Sequence, residues 1–215
     1  MKKIVYLKNV DELEQIIGNN LVYLGAGAEG ITYLSKKDNK AYKILTDFEI
    51  EDDVEDIITS RDIDLKHFLF PEELYVYDGH LIAYRTKYVN NNLIDFTNRK
   101  NNIFIIDFDK FIKAYYEMLK EIKILSDNKI KIYDLSFNLM FDGENLYAID
   151  TCGYRKVDED VNEVYRHNKF YLEEAIKDIL SAFLINDIST EEYNKLVDIQ
   201  DLEEQLKEIK IIARR

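Results

Sequence analysis

Apolar residues at positions 10, 13, 16 and 17 fall on one side of a helix, so Val10 to Ile17 predicts a short amphipathic helix. Three short runs then predict strands: Leu21–Leu24, Ile31–Leu34 and Ala41–Leu45. A glycine cluster separates the first two, and Lys37-Asp38-Asn39 makes a turn before the third. Ile50, Val54, Ile57 and Ile58 return to helical spacing, with Glu51 and Glu55 beside the stripe. Leu74–Tyr77 and Leu81–Val89 predict a hairpin across an Asp78-Gly79 turn.

Past Asn90-Asn91-Asn92, a polar break that reads as a hinge, the pattern changes. Phe108, Phe111, Ile112, Tyr115, Leu119 and Ile122 line one face of a long helix. Residues 130–150 are strand-rich around a second Asp-Gly pair, Asp142-Gly143. Helical spacing resumes from about Lys169 to Ile185 and from Thr190 to Ile211. The expectation is an α+β chain in two parts. Residues 1–89 hold a five-stranded antiparallel sheet with one helix, and residues 90–215 are mainly helical.

Composition narrows the function classes. The chain has 215 residues, and 47% are hydrophobic, enough for a core. Its 42 acidic against 29 basic side chains give a formal charge of −13. That balance argues against nucleic acid and anionic membranes as partners, since both call for a basic surface. A single cysteine, Cys152, excludes an internal disulfide and fits a reducing compartment. The opening Met1–Lys8 has too short an apolar run for a signal peptide, and no window approaches the length of a membrane span. A cytoplasmic protein, or one delivered into another cell, is expected. His67, His80 and His167 lie in separate segments and make no zinc pattern with one cysteine.

Four short segments carry the candidate chemistry. Gly25-Ala26-Gly27-Ala28-Glu29-Gly30 has GxGxxG spacing, but β-branched and aromatic residues follow it instead of a helix. Strand–loop–strand is therefore the reading, with glycine amides free to approach phosphate oxygens. Lys43 stands on an apolar strand, on one face with Ala41 and Leu45, which favours an inward charge. Asp134 and Asn138 sit four residues apart in Tyr133–Phe141, and Asp150 ends Leu146–Ile149. If 139–141 and 146–149 pair, these oxygens converge on one point suited to Mg²⁺.

This order of glycine loop, strand lysine, Asp-x₃-Asn and strand-end aspartate resembles the protein-kinase-like superfamily, from about Leu21 to Gly153. The resemblance implies a two-lobed fold that binds ATP and Mg²⁺. Gly25, Gly27 and Gly30 would cover the phosphates, with Ala41 lining the nucleotide site. Lys43 would contact the α- and β-phosphates, paired by Glu55 or, failing that, Glu51. Thr86, Tyr88 and Val89 would lie in the segment that links the lobes and holds adenine. Asp134 would orient or deprotonate the acceptor hydroxyl, and Asn138 and Asp150 would bind metal.

The departures are specific. The family places its asparagine five residues after the aspartate, one more than here. Ile132 and Tyr133 replace the usual histidine and arginine, and Ser136 replaces a lysine. Asp150-Thr151-Cys152-Gly153 stands for Asp-Phe-Gly, and no proline follows Pro71. The part after Asn90 is much shorter than an ordinary kinase C-lobe, as in minimal kinases of the Rio type or small bacterial effector kinases. The expected activity is γ-phosphate transfer to a hydroxyl, on a protein Ser/Thr first. The alternatives are a small-molecule acceptor of the aminoglycoside or sugar type, or a pseudokinase that binds without turnover.

Overall fold

The computed structural model describes residues 3–46, 63–89, 107–136, 138–184 and 188–213. It is α+β and divides into two compact units: residues 1–65 with 69–89, and residues 66–68 with 90–215.

The first unit is built on a six-stranded sheet, where the sequence predicted five. Its strands are β1 (Lys3–Tyr6), β2 (Leu21–Ala26), β3 (Gly30–Ser35), β4 (Lys40–Leu45), β5 (Glu73–Tyr77) and β6 (His80–Lys87). The spatial order is β1-β5-β6-β4-β3-β2. The sheet is mixed and not antiparallel throughout, because β1 pairs parallel to β5, Lys3 opposite Glu73 and Tyr6 opposite Val76. The Asp78-Gly79 turn has positive φ at both residues (49° and 82°), the geometry of a two-residue hairpin that matches strand twist.

Helix α1 (Val10–Ile17) is capped by Asn9, whose side chain accepts the Glu12 N–H at 3.0 Å, and Asp11 and Glu12 sit at its positive end. At its other end Ser35 donates its hydroxyl to the Ile17 carbonyl (2.6 Å), and the Lys37 ammonium meets the Gln15 and Ile16 carbonyls at 3.2 and 3.1 Å. Leu13 and Ile17 bury against Leu7, Tyr42, Tyr75, Ile82 and Ala83. Each such fully buried side chain contributes about 1.5–3 kcal/mol. One face of the sheet is thereby committed to a core.

In the second unit, α2 (Phe108–Asp127) places Phe111, Ala114, Tyr115, Met118, Ile122 and Leu125 inside. Helix α3 (Val161–Leu184) packs on it through Val164, Leu172, Ala175, Ile176 and Leu180. It starts eight residues before the predicted Lys169. Helices α4 (Thr190–Val197) and α5 (Leu202–Ala213) follow, α4 behind a Ser189–Glu192 capping box. Two small ladders complete the unit. Strand β7 (Ile130–Lys131) pairs with β10 (Arg155–Lys156), and β8 (Leu139–Phe141) pairs with β9 (Leu146–Ala148). Both Glu121 carboxylate oxygens accept backbone N–H groups, from Lys66 (2.8 Å) and His67 (2.9 Å), and so tie residues 66–68 to α2. No helix among the described residues is long and apolar enough to cross a membrane.

Candidate active site

In the first unit, β2 and β3 are joined through the glycine cluster, with a register shift between Tyr23 and Gly25. The loop closes on itself through the Gly27 N–H and the Gly30 carbonyl (2.9 Å). The three glycines are not equivalent. A Cβ on Gly30 would lie 2.2 Å from the Ile44 carbonyl oxygen, so strand packing requires glycine there. A Cβ on Gly25 or Gly27 would meet nothing within 4 Å, so those positions open the loop surface without being needed by the fold.

Gly25, Thr32, Lys43 and Tyr84 form one row across β2, β3, β4 and β6, and Ala41 pairs with Thr86 in the next row. All of these share the face opposite Tyr42, which sits in the α1 core. Lys43 is 7% exposed. Its ammonium lies 2.8 Å from the carboxylate of Glu29, at the tip of the glycine loop, and 6.0 Å from the Tyr84 ring centroid. The alternation argument for an inward lysine is met, and one carboxylate it meets is that of Glu29. The anticipated partners Glu51 and Glu55 lie outside the described residues, as does the Asn90–Asn92 break. Thr86 belongs to β6 and donates to the Leu69 carbonyl at 3.3 Å, so only Tyr88 and Val89, both half-buried, follow the strand.

The second unit holds Asp134, Asn138 and Asp150. The Asn138 amide donates to the Asp134 carbonyl (2.7 Å), and the Asn138 N–H donates to the Leu135 carbonyl (3.0 Å). Those two bonds tie Asn138 back to Asp134 and Leu135. They leave Asn138 Oδ1, the atom a hard cation takes, outside the amide's own bond. Leu139 pairs with Ala148, and the Ile149 N–H donates to the Asn138 carbonyl at 2.8 Å. Asn138 and Asp150 are therefore brought to the same end of the β8–β9 hairpin, as the pairing condition required. Asp134 and Asp150 both have left-handed backbone, φ 50° and 54°. Outside glycine this is uncommon, and it concentrates at sites where the surroundings fix a side chain. Asp150 precedes a single 3₁₀ turn, Thr151–Gly153, and makes no side-chain cap bond to it. Cys152 in that turn is half-buried, not fully buried as an inert core thiol would be.

The β8–β9 turn is itself organised by a carboxylate. Burial pushes the Asp142 carboxyl up. The N–H groups of Asn145 and Glu144 and the Tyr147 hydroxyl outweigh that and hold it below its ordinary value.

The residues entering the Asp134 loop are held by α3, which sequence reasoning missed. Asn168 is fully buried and satisfied: Oδ1 accepts the Ile132 N–H (2.9 Å), and Nδ2 donates to the Ile130 carbonyl (2.8 Å) and to Ser126 Oγ (3.1 Å). His167 Nε2 lies 3.0 Å from the Ile132 carbonyl, and its ring stacks on Tyr171 at 4.5 Å. Ser136 donates to Asp178 at 3.1 Å. A signal existed. Asn168 interrupts the apolar positions Val164, Leu172, Ala175 and Ile176 of α3, and a polar residue inside such a stripe calls for an internal partner.

Among the described residues no group of three or more His, Cys, Asp or Glu gathers as a metal cluster. One carboxylate and one amide oxygen suit Mg²⁺, which keeps waters and takes its other ligands from substrate phosphates. No protein-family model matches the chain, and no curated protein is similar to it.

Proposed function

We propose that the protein is an ATP- and Mg²⁺-dependent phosphotransferase with a protein-kinase-like fold, acting on a hydroxyl. The observation that carries this reading is Lys43. A lysine 7% exposed, on the strand beside a glycine hairpin, reaches the loop itself at 2.8 Å from Glu29. A surface lysine on an apolar strand has no reason to sit there, whereas a phosphate-binding lysine does. The Asn138–Asp134 hydrogen bond and the backbone link from Asn138 to the segment ending in Asp150 support the same reading.

In this scheme Gly25 and Gly27 give phosphate oxygens close access to the loop backbone, and Lys43 takes the α- and β-phosphates. Ala41, Thr86, Tyr88 and Val89 border the base. Asn138 Oδ1 and Asp150 would hold Mg²⁺, which would supply positive charge against the nucleotide's phosphates. Asp134 accepts a hydrogen bond from the acceptor hydroxyl and takes its proton. The acceptor oxygen bonds to the γ-phosphorus as the bond to the β-bridging oxygen breaks and ADP leaves. Little covalent work falls to the protein, so position and charge supply the catalysis.

A protein Ser/Thr acceptor is the first choice. One observation favours a small-molecule acceptor as the second reading: the position protein kinases fill with lysine is Ser136, engaged with Asp178. Purified protein incubated with γ-labelled ATP and Mg²⁺, alone, with basic proteins and with aminoglycosides or sugars, separates the two. Label transfer or ATP turnover is expected, and it disappears in Asp134→Ala and Asp150→Ala. Absence of both turnover and a Mg²⁺-ATP thermal shift in the wild type would sink the proposal. Binding without turnover would leave a pseudokinase.

A further inference from the structure

We propose that the second unit carries a separate ligand site, a cavity around His67 that takes a small phosphate-bearing anion. The cavity holds about 670 Å³, within the range of small-molecule pockets. It lies at the Asp142-Gly143 end of the β8–β9 hairpin, where Glu144 and Asn145 line it. Asn138 and Asp150 stand at the hairpin's other end.

Helix α2 makes one wall. Lys110, Lys113, Glu117 and Lys120 recur every three or four residues and so share a face, and Ala114, 2% exposed, leaves room between them. With Lys66, four lysines line the cavity against three glutamates, a positive balance in a chain of charge −13. The glutamates are already engaged. Glu144 holds Lys110 at 3.1 Å, Glu117 holds Lys120 at 2.7 Å, and Glu121 takes the N–H groups of Lys66 and His67. Two lysines bring charge that no ion pair cancels among the described residues. The Lys66 ammonium sits on the neutral amide of Asn145 at 2.7 Å. Lys113 feels Glu117 one turn away, which Lys120 already holds.

His67 gives the cavity a directed group. Its ring is 3% exposed, and Nδ1 lies 2.8 Å from the Leu146 carbonyl. A carbonyl only accepts, so Nδ1 carries a proton there and donates it. Nε2 makes no hydrogen bond among the described residues and is not sealed from solvent, so it opens on the cavity that the ring lines. Phosphate suits this set better than a carboxylate does. Its oxygens take charge-assisted bonds from the Lys66 and Lys113 ammonium groups. Its last proton, with a pKa of about 6 in an ester, is still partly present at neutral pH and can be shared with Nε2. A carboxylate at that pH brings no proton.

The chain has three histidines, so ring-nitrogen NMR can follow His67 beside His80 and His167. Full-length protein is titrated at constant ionic strength with inorganic phosphate, pyrophosphate and a triglutamate peptide. Phosphate and pyrophosphate are expected to shift the His67 ring signals saturably and to leave those of His80 in place. Lys66→Gln and Lys113→Gln, both at exposed positions, are each expected to weaken binding about three- to ten-fold. Lys123→Gln removes the same charge from α2 outside the cavity and is expected to change nothing. Melting curves check that each variant is folded. No saturable shift at His67, an equal shift at His80, or equal weakening by Lys123→Gln would overturn the site. Tighter binding of triglutamate than of pyrophosphate would overturn the choice of phosphate.

Discussion

Asn168 and His167, neighbours on α3, take the two backbone polar groups of one residue: Asn168 accepts the Ile132 N–H at 2.9 Å, and His167 meets the Ile132 carbonyl at 3.0 Å. Ile132 lies two residues before Asp134, so the loop is aimed by a helix that follows it in the chain.

Replacing Asn168 by Ala leaves the Ile132 N–H and the Ile130 carbonyl buried without partners. Such truncations of a buried, fully satisfied amide cost about 2–4 kcal/mol. Urea unfolding of Asn168→Ala reads this directly. A loss under about 0.5 kcal/mol would show that water replaces the clamp.

Gly30 and Gly27 separate packing from access. Gly30→Ala forces a Cβ against the Ile44 carbonyl, and backbone cannot yield as a side-chain tip does. The expected loss is about 1–3 kcal/mol. Gly27→Ala meets open space and is expected to stay within about 0.5 kcal/mol of wild type. Melting both variants side by side decides it, and equal losses would refute the distinction.

Asn138→Ala removes the loop's closing bond to Asp134 and the amide oxygen offered to a cation. Under the proposed phosphotransferase reading, the Mg²⁺ concentration for half-maximal turnover is expected to rise ~10-fold or more. A turnover defect with an unchanged Mg²⁺ requirement would confine Asn138 to holding the loop.

Tyrosines give the pH prediction. Burial first, then hydrogen bonding to Asp38, pushes the Tyr42 hydroxyl up to about 12, and burial with the charge of Asp142 does the same to Tyr147. Burial likewise raises Tyr75, which donates to Glu73 at 2.6 Å. A folded value above the unfolded one means the native state binds more protons between the two. Stability is then whole below pH 10 and declines as the pH climbs from 10 toward 12. Ultraviolet titration is expected to show a tyrosine class silent at pH 10–11 that ionises on unfolding. A single class ionising near 10 with the fold intact would contradict it.

What was legible in the sequence was local. Lys43 declared its face because a strand alternates with period 2, and Asp78-Gly79 declared its hairpin because two positive φ angles need such residues. The β8–β9 pairing followed from two short apolar runs around Asp142-Gly143. Strand β1 escaped because four residues at an edge carry little pattern, and their partner β5 lies about seventy residues away. The start of α3 escaped because Asn162, Glu163, Arg166 and His167 dilute its first turns. With that start went Asn168, whose role appears only once the helix reaches it. Glu29 stood inside the glycine motif but gave no sign that it would turn back to Lys43.

The pairing of β1 with β5 also sets an order of events at the ribosome. Strand β1 precedes its partner in the chain and stays without its ladder until Val76 has cleared the exit tunnel, because its partners run from Glu73 to Val76. Within this sheet β1 thus waits for one of the two strands made last, and it is unpaired on both sides while β2, β3 and β4 are synthesised.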